Sequence, residues 1–304
     1  MKKSILICGG TGFLGYHLAK KLELSNWKIY SISTRKPQKL RKIKNLKYLY
    51  CDISKKKNLH KILNKINVDF VVNFSGYVDH TNKKKTISSH YFGLKNLINF
   101  YLKKKISKFI QIGSSLEYGK SKSPHKESIK IKIENLKSPY SRSKLKSTKF
   151  LEKIGKKFKF PYIIVRPYLI YGPYQDSNRI IPFVINKCLE NKSFPTSSGN
   201  QKRDFLYVND FIKILYKLMI NQKIKREILN IGTGKSIKVK NVVYLIKKKI
   251  GSGKPIFDKI RLRKDESKIY YPDIKKLRRF IKDFNFTDLN FGLNKTINYY
   301  AKRK

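Results

Sequence analysis

The stretch ILICGGTGFLG, residues 5–15, begins as an apolar strand and becomes glycine-rich within one residue. Four of its last seven residues are glycine, although the whole chain of 304 residues has only 16 glycines. Gly9, Gly12 and Gly15 form the pattern G-x-x-G-x-x-G, which follows the strand and opens a helix. Glycine permits a tight turn, close approach of a pyrophosphate and close packing of helix on strand. The stretch therefore predicts a dinucleotide site at a helix start, and no Gly-Lys-Ser/Thr follows that would make it a P-loop.

Short apolar runs alternate with amphipathic stretches through the first half of the chain. We predict helices over Phe13–Leu24, Asn58–Ile66 and Ile87–Lys103. The strand candidates are residues 4–8, 28–33, 46–51, 70–75, 108–115 and 162–167. Strands separated by helix-length segments indicate an α/β fold with a doubly wound parallel sheet covered on both faces.

The regular alternation loosens after Pro167. Helical segments are predicted near residues 180–191, 208–220 and 240–250, separated by loops such as YGPYQDSN and SFPTSSGNQ. We therefore predict a dinucleotide-binding domain over residues 1–166. Residues 167–304 are predicted to form mainly a smaller C-terminal substrate-binding domain, with segments that return to the first domain.

Lysine dominates the polar positions of the chain. There are 71 Lys and Arg residues against 19 Asp and Glu, a net charge of +52, and only 12 of the basic residues are arginine. Nucleic-acid surfaces cluster their charge and favour arginine, whereas here lysine is spread from end to end. We interpret the lysines as solvated surface positions and expect no nucleic-acid partner, although such a field attracts small polyanions.

The cysteines and histidines form no recognisable framework. Cys8, Cys51 and Cys188 are far apart and odd in number, and the five histidines form no cluster, which argues against a disulfide framework or a metal site and suits a reducing cytoplasm. The first apolar stretch stops at Gly9, too short for a signal peptide, and no run reaches transmembrane length. We expect a cytoplasmic protein with no metal and no membrane partner.

The ends of strands two and three bear on the choice of dinucleotide. Strand two ends in YSISTRKP, without the acidic residue that binds the adenosine ribose of NAD. Ser33, Thr34 and Arg35 stand there instead and suit a 2′-phosphate, so NADP is favoured over NAD. Just past strand three, Asp52 either accepts from the adenine amino group or caps the following helix, and both interpretations remain open. Ile53 beside it is a further predicted cofactor contact.

A second group of residues has hydroxyl and amine side chains. Tyr140 and Lys144 in SPYSRSKLKST are four residues apart, which puts both on one face of a helix. Upstream, IGSSLEYG ends strand five with Ser114 and Ser115, where the carboxyl ends of parallel strands meet a ligand cleft. Tyr-x-x-x-Lys alone is weak in a chain so rich in both residues, and its meaning depends on the neighbouring motifs.

These motifs together resemble an extended short-chain dehydrogenase/reductase with a Rossmann-type domain. More narrowly, the chain resembles the NAD(P)-dependent epimerase/dehydratase family, which acts on nucleotide sugars. Three later segments agree with that family's patterns in the right order. They are VRPYLIYGPYQ (165–175), GNQKRDFLYVNDF (199–211) and NIGTGKSIKV (230–239). The resemblance covers about residues 4 to 280.

The resemblance implies roles for the matching residues. Tyr140 would be the acid/base, and Lys144 would bind the nicotinamide ribose and lower the pKa of the tyrosine. Ser114 would hold the reacting oxygen together with Tyr140, with Ser115 as a substrate contact. A cation about 4 Å from the phenol is worth about 4 kcal/mol at an effective dielectric near 20, enough to bring a tyrosine towards neutral pH.

Further contacts follow from the same resemblance. Phe13 and Leu14, between the second and third glycines, complete the predicted cofactor contacts. Arg203 and Arg263 match arginines that grip the substrate diphosphate, where a planar fork suits paired oxygens. The resemblance also implies a homodimer that forms through the helices carrying Tyr140 and the Ile87–Lys103 segment.

The chain departs from the family at three positions. Sugar 4,6-dehydratases carry an acidic residue two positions after the catalytic hydroxyl, where this chain has Leu116, and Glu117 one residue along is expected to point elsewhere. Dehydration is therefore disfavoured. Leu169 and His90 each stand where the family commonly has Asn; the histidine is expected either to support the active-site helix or to be a buried core residue.

The leading hypothesis is an NADPH-dependent 4-keto reductase of a nucleotide-diphosphate sugar. The main alternative is a nucleotide-sugar 4-epimerase with tightly held NAD. Reduction of a non-sugar ketone is a further alternative, against which Arg203 and the R-D-F-x-Y-V segment argue. A non-enzymatic binding protein is disfavoured because Ser114, Tyr140 and Lys144 are all present.

Overall fold

The computed structural model describes residues 2–77, 82–261 and 267–303. The chain divides into two compact units. The first unit runs to Gly119 and adds Lys130–Arg166 and Ile214–Leu229. The second unit consists of Lys120–Ile129, Pro167–Lys213 and the chain from Asn230 onward. The chain therefore passes from one unit to the other several times.

The strands of the described chain are named in chain order. They are β1 Lys3–Cys8, β2 Trp27–Ser33, β3 Leu46–Tyr50, β4 Phe70–Asn73, β5 Lys108–Ile112, β6 Tyr162–Pro167, β7 Leu169–Tyr171, β8 Ser193–Pro195, β9 Lys202–Arg203, β10 Phe205–Tyr207, β11 Glu227–Ile231, β12 Ile237–Lys238, β13 Lys254–Ile256 and β14 Ile269–Tyr270.

Seven strands form the central sheet, in the order β11-β6-β5-β4-β1-β2-β3. The pairings from β3 across to β6 are all parallel. The strand order reverses between β1 and β4. Open parallel sheets bind their ligands at such a reversal, beyond the carboxyl ends of the strands. The predicted doubly wound parallel α/β fold is confirmed.

The interior of the sheet explains the apolar runs of the sequence. Leu6, Val71, Ile110 and Ile164 are all fully buried, as are their strand neighbours on the opposite face. Because helices cover both faces, these strands read as continuous apolar runs instead of alternating ones. The predicted strand over 108–115 stops at Ile112, where Ser114 begins a 3-10 turn.

Helices follow the strands. They are α1 Phe13–Glu23, α2 Lys56–Leu63, α3 Lys83–Ile87, α4 Gly93–Tyr101, α5 Pro139–Phe158, α6 Ile180–Leu189, α7 Val208–Ile220, α8 Val239–Ile250, α9 Lys275–Phe280 and α10 Leu289–Ala301. The single helix predicted over Ile87–Lys103 is longer and interrupted, since a π-helical segment at Ser88–Phe92 separates α3 from α4.

Lys108 is a fully buried lysine at the start of β5. Its Nζ donates to the carbonyl oxygen of Leu218, 3.2 Å away, and to that of Asn221. These carbonyls end helix α7, so the ammonium group satisfies acceptors that a helix C-terminus leaves open. Burial, with a contribution from Lys225, lowers the pKa of Lys108 to about 8.

The second unit contains three small sheets. β7 pairs in parallel with β10, and β8 pairs in parallel with β13. β9 lies between β12 and β14. None of the helices in the described ranges combines the length and apolar character that crossing a bilayer requires.

Candidate catalytic and cofactor site

The glycine-rich turn after β1 is closely packed. Gly9 has a φ of +77°, and a Cβ there would lie 3.0 Å from the backbone nitrogen of Ser75. A Cβ on Gly15 would lie only 2.3 Å from the carbonyl oxygen of Gly9. The first glycine is therefore required by the turn and by the chain beside it, and Gly15 lets α1 pack directly on the turn.

The start of α1 is open to an anion. The helix begins after Gly12, which has no side chain to cap the first amides, and the first turn carries no acidic residue. Phe13 and Leu14 are the first helical residues, and both are half-buried. Backbone N–H groups at a positive helix end suit a phosphate, so the residues present fit a dinucleotide pyrophosphate.

Ser33 at the end of β2 is committed to the glycine turn. Its Oγ accepts a hydrogen bond of 3.3 Å from the backbone nitrogen of Thr11, and the side chain is buried. Arg35, two residues on, is exposed to solvent. The short hydroxyl thus stabilises the turn, and the arginine is the cationic side chain placed just beyond the strand.

Asp52 caps a turn, not the helix. Its Oδ1 accepts from the backbone nitrogen of Ser54 at 2.9 Å, whereas the N-cap of α2 is Lys55. The alternative in which Asp52 caps the following helix is therefore wrong in detail. Ile53 is buried, and a Cβ on Gly93 would lie 2.6 Å from its Cδ1. The side chain of Ile53 thus packs on the start of α4, and contact of either residue with a cofactor stays a prediction.

Tyr140 and Lys144 lie in the first turns of α5. Ser138 caps this helix by accepting from the backbone nitrogen of Ser141 at 3.0 Å, and Pro139 occupies the first turn, as proline favours. Lys144 Nζ lies 5.7 Å from the centroid of the Tyr140 ring. The predicted shared helix face therefore brings these two side chains together.

Lys144 is buried and anchored to the central sheet. Its Nζ donates to the carbonyl oxygen of Ile112, at the end of β5, over 2.7 Å. Burial lowers the pKa of Lys144 to about 8, although the charge of Glu117 acts in the opposite direction. The contact with Tyr140 thus places an ammonium group beside the phenol ring.

Ser114 follows β5 directly and caps the 3-10 turn Ser115–Tyr118. Its Oγ accepts from the backbone nitrogen of Leu116 at 3.2 Å. A hydroxyl that accepts in this way still has its hydrogen to donate, which suits the oxygen of a substrate. Ser115 is buried, whereas Leu116 is 42% exposed.

Glu117 connects Ser114 to helix α5 and strand β6 through hydrogen bonds. Its Oε1 accepts from the backbone nitrogen of Ser114 at 2.8 Å. Its Oε2 accepts from Thr148 Oγ1 on α5 at 2.8 Å, and from Nε and Nη2 of Arg166 at 3.0 and 2.9 Å. The carboxylate is fully buried. Glu117 therefore points into the protein, as the sequence comparison with dehydratases led us to expect.

Arg166 completes this buried network, which sequence reasoning missed. Its Nη1 donates to the hydroxyl of Tyr118 at 3.0 Å. Burial opposes the charge of the guanidinium, but Glu117 and Tyr118 outweigh it and raise the pKa of Arg166. The sequence held one signal for Glu117: acidic side chains are scarce in this chain, with 19 in all, and this one lies just after a buried strand.

Arg203 belongs to the second unit and lies in β9. Its guanidinium is 6.0 Å from the centroid of the Tyr270 ring, and Nη1 donates to the carbonyl oxygen of Lys202 at 2.8 Å. The neighbouring Asp204 is buried and accepts from the backbone nitrogens of Thr233 and Gly234. Burial raises the pKa of Asp204 to about 6. Arg263 lies outside the described residues.

The arrangement brings a phenol and an ammonium group together, with a hydroxyl after β5 and an uncapped helix start after β1. In the portions of the chain that the structure describes, no three His, Cys, Asp or Glu side chains are grouped as metal ligands would be. Tyr140, Lys144 and Ser114 fit proton transfer to or from an oxygen, coupled to chemistry that a bound dinucleotide supplies.

Comparison with known proteins gives the family. The model of the NAD dependent epimerase/dehydratase family matches residues 5–232. This range includes the glycine turn, Ser114, Tyr140, Lys144 and Arg203.

Two curated relatives show the range of reactions in this family. A dTDP-D-glucose 4,6-dehydratase of Dictyostelium discoideum is 30% identical over 254 residues, which cover 76% of this chain. The chain spans 58% of the length of that relative. A putative UDP-glucose 4-epimerase of Methanocaldococcus jannaschii is 29% identical over 309 residues, covering 97% of both chains.

A solved structure has the same fold over nearly the whole chain. The UDP-glucose 4-epimerase of Thermus thermophilus, in complex with NAD, superposes with a TM-score of 0.89 at 17% identity. The match covers 98% of both chains. This likeness shows a shared fold.

Proposed function

Since the chain belongs to the NAD dependent epimerase/dehydratase family, we propose that it reduces the 4-keto group of a nucleotide-diphosphate sugar. At the coarser level it is an NAD-dependent enzyme of the nucleotide-sugar epimerase/dehydratase type. The observation that carries the proposal is the contact of Lys144 with both Tyr140 and the end of β5, in the same unit as an anion-ready glycine turn.

The chain's own residues account for the proton side of this reaction. A reduced nicotinamide, when bound, supplies hydride to the carbonyl carbon. Tyr140 donates its phenolic proton to the oxygen that becomes an alcohol, and Lys144 stabilises the phenolate that remains. Ser114 donates a hydrogen bond to the same oxygen while charge develops on it. The ketone thus gains one hydride and one proton.

The segment after β5 favours reduction over dehydration. Leu116 stands at the position where dehydratases carry an acid, and its apolar side chain is 42% exposed. The nearest carboxylate, Glu117, is fully buried in its contacts with Arg166, Thr148 and Ser114. Elimination of water needs an acid/base in addition to Tyr140, and this segment offers no such group to a sugar.

A 4-epimerase is the second candidate, and the epimerase relative that matches 97% of the chain favours it. The two reactions differ in cofactor balance. Epimerisation returns the hydride to the sugar, whereas reduction consumes NADPH.

The experiment that separates them measures this balance with UDP-, GDP-, CDP- and dTDP-linked sugars. We expect stoichiometric loss of NADPH absorbance with a 4-keto-6-deoxy nucleotide sugar. Turnover of a plain nucleotide hexose without net cofactor change would establish the epimerase instead. Reduction of simple ketones, with no turnover of any nucleotide sugar, would establish the third alternative of a non-sugar ketone reductase.

We further propose NADP as the preferred cofactor, on the basis of Arg35. A charged hydrogen bond to a 2′-phosphate is worth about 1.5–3 kcal/mol. Arg35→Ala is therefore expected to raise KM for NADPH at least about 10-fold and to leave KM for NADH nearly unchanged. The neighbouring exposed Lys36→Ala is the control for loss of a surface charge. Equal increases in both constants would contradict the assignment.

Arg203 and Arg263 are proposed to bind the substrate diphosphate, and Ser115 is proposed as a substrate contact. We also propose a homodimer. Apolar side chains are exposed along α3 to α4 and at the end of α5, which supports this assembly. They are Ile87, 38% exposed, Phe92, 48% exposed, and Phe158, 51% exposed.

A further inference from the structure

His90 packs directly against Tyr140. The two ring centroids are 5.0 Å apart and the rings are nearly perpendicular, with an interplanar angle of 87°. His90 is buried and lies in the π-helical segment between α3 and α4. The imidazole ring therefore packs against the phenol that the proposed mechanism uses.

The other side of the imidazole is tied to the chain after β4. His90 Nε2 lies 3.1 Å from the carbonyl oxygen of Tyr77. Because a carbonyl only accepts, Nε2 carries the hydrogen in this contact. The backbone nitrogen of Tyr77 donates to Ser89 Oγ at 2.9 Å. The π-helical segment therefore hydrogen-bonds to both the backbone nitrogen and the carbonyl oxygen of Tyr77.

Gly76 makes the room for this ring. A Cβ at residue 76 would lie 1.9 Å from Cε1 and 2.4 Å from Nδ1 of His90. These distances are far inside van der Waals contact, so no other L-residue fits while the imidazole keeps its place. The ring is therefore seated between Gly76 and Tyr140.

The backbone of His90 is fixed as well. Ser147 Oγ, on α5, donates to the carbonyl oxygen of His90 at 3.0 Å. The same Oγ lies 2.8 Å from the carbonyl oxygen of Ser143. The hydrogen bond from Ser147 to His90 opposes a shift of the His90 backbone, so a larger residue at position 76 is expected to displace the imidazole, which packs on Tyr140.

We propose that His90 is a positioning residue that sets the ring orientation of Tyr140, and that Gly76 is its steric partner. The inference rests on the proposed role of Tyr140 as the acid/base. Since π-helical segments often occur at functional sites, the extra residue at Ser88–Phe92 is what presents the imidazole to the phenol. A misplaced acid/base costs rate more than it costs substrate binding.

A double-mutant cycle with Gly76→Ala and His90→Asn tests the proposal. Gly76→Ala is expected to lower kcat on the order of 10-fold or more, with little change in KM. His90→Asn removes the ring wall and lowers kcat, again with little change in KM. In the His90→Asn background the alanine should cost less than about twofold, because Cε1, the nearer of the two atoms it would strike, is gone and the carboxamide can rotate away.

Gly155→Ala is the matched control. Its Cβ would lie 2.1 Å from Cε1 of Tyr162, so it creates a comparable clash between α5 and β6 that does not involve His90. We expect it to lower Tm without coupling to His90→Asn. Equal losses of kcat from Gly76→Ala in both backgrounds, or losses that fall on KM, would overturn the proposal.

A readout without substrate separates this inference from the proposed function. In protein with ring-labelled tyrosine, the Tyr140 signal is the one missing from Tyr140→Phe. His90→Asn should shift that signal by removing the ring current of the imidazole, while Gly155→Ala should not. An unshifted signal overturns the positioning role. A shifted signal together with full activity of Tyr140→Phe would overturn the proposed function and leave the contact intact.

Discussion

Tyr140→Phe is expected to lower kcat by about 10²- to 10⁴-fold, the usual contribution of a general acid/base. The change removes one oxygen and keeps the ring that packs against His90 and lies beside Lys144. Cofactor binding should persist, because the glycine turn and α1 are untouched. Steady-state turnover, with cofactor binding followed by thermal shift, measures both effects.

The control for this change is Tyr244→Phe, since Tyr244 lies in the second unit and is 46% exposed. It removes the same atom and should leave kcat unaltered. Activity of Tyr140→Phe within about threefold of the wild type would contradict general acid/base catalysis by this residue.

Glu117→Ala is expected to lower the free energy of unfolding by about 3–5 kcal/mol. The carboxylate is fully buried and Arg166 is 4% exposed, so the substitution leaves a buried guanidinium without its partner. The Thr148 hydroxyl and the Ser114 backbone nitrogen would also lose their acceptor, and these unsatisfied donors add to the cost. Chemical denaturation at neutral pH measures the loss.

Two further variants test whether loss of the buried ion pair causes the drop in stability. Glu190→Ala breaks surface ion pairs with Lys187 and Lys192 and should cost less than about 1 kcal/mol. Replacing the pair together, with Glu117→Leu and Arg166→Met, should recover much of the stability. Glu117→Ala is also expected to lower kcat, because the Ser114 backbone nitrogen loses its acceptor, and the double replacement should not restore kcat. Recovery of both would mean that Glu117 has no part in placing Ser114.

The sheet was predictable because local patterns encode it. Strands buried on both faces read as apolar runs, and the helix-length gaps between them require parallel pairing. The glycine turn and the four-residue spacing of Tyr140 and Lys144 are local as well. The interruption at Ser88–Phe92 was not predictable, since an extra residue within a helix leaves the apolar pattern nearly intact.

The contacts that orient the site come from long-range pairs. Glu117 and Arg166 are 49 residues apart, and Gly76 and His90 meet only because a strand, a turn and a π-helical segment converge. The hydrophobic periodicity of the sequence does not predict such long-range contacts. Glu117 is expected to point away and His90 stands where the family commonly has Asn, but the partners of each side chain are visible only in three dimensions.

Lys108 has a consequence for how the cofactor-binding unit can be separated from the rest of the chain. The acceptors of its buried ammonium group, at Leu218 and Asn221, are encoded more than a hundred residues downstream. A fragment ending at Arg166 would keep the glycine turn, Ser114, Tyr140 and Lys144 but would lack the carbonyl oxygens that receive the hydrogens of Lys108. The first unit is therefore complete only when it includes Ile214–Leu229, although more than forty residues of the second unit come before that segment in the chain.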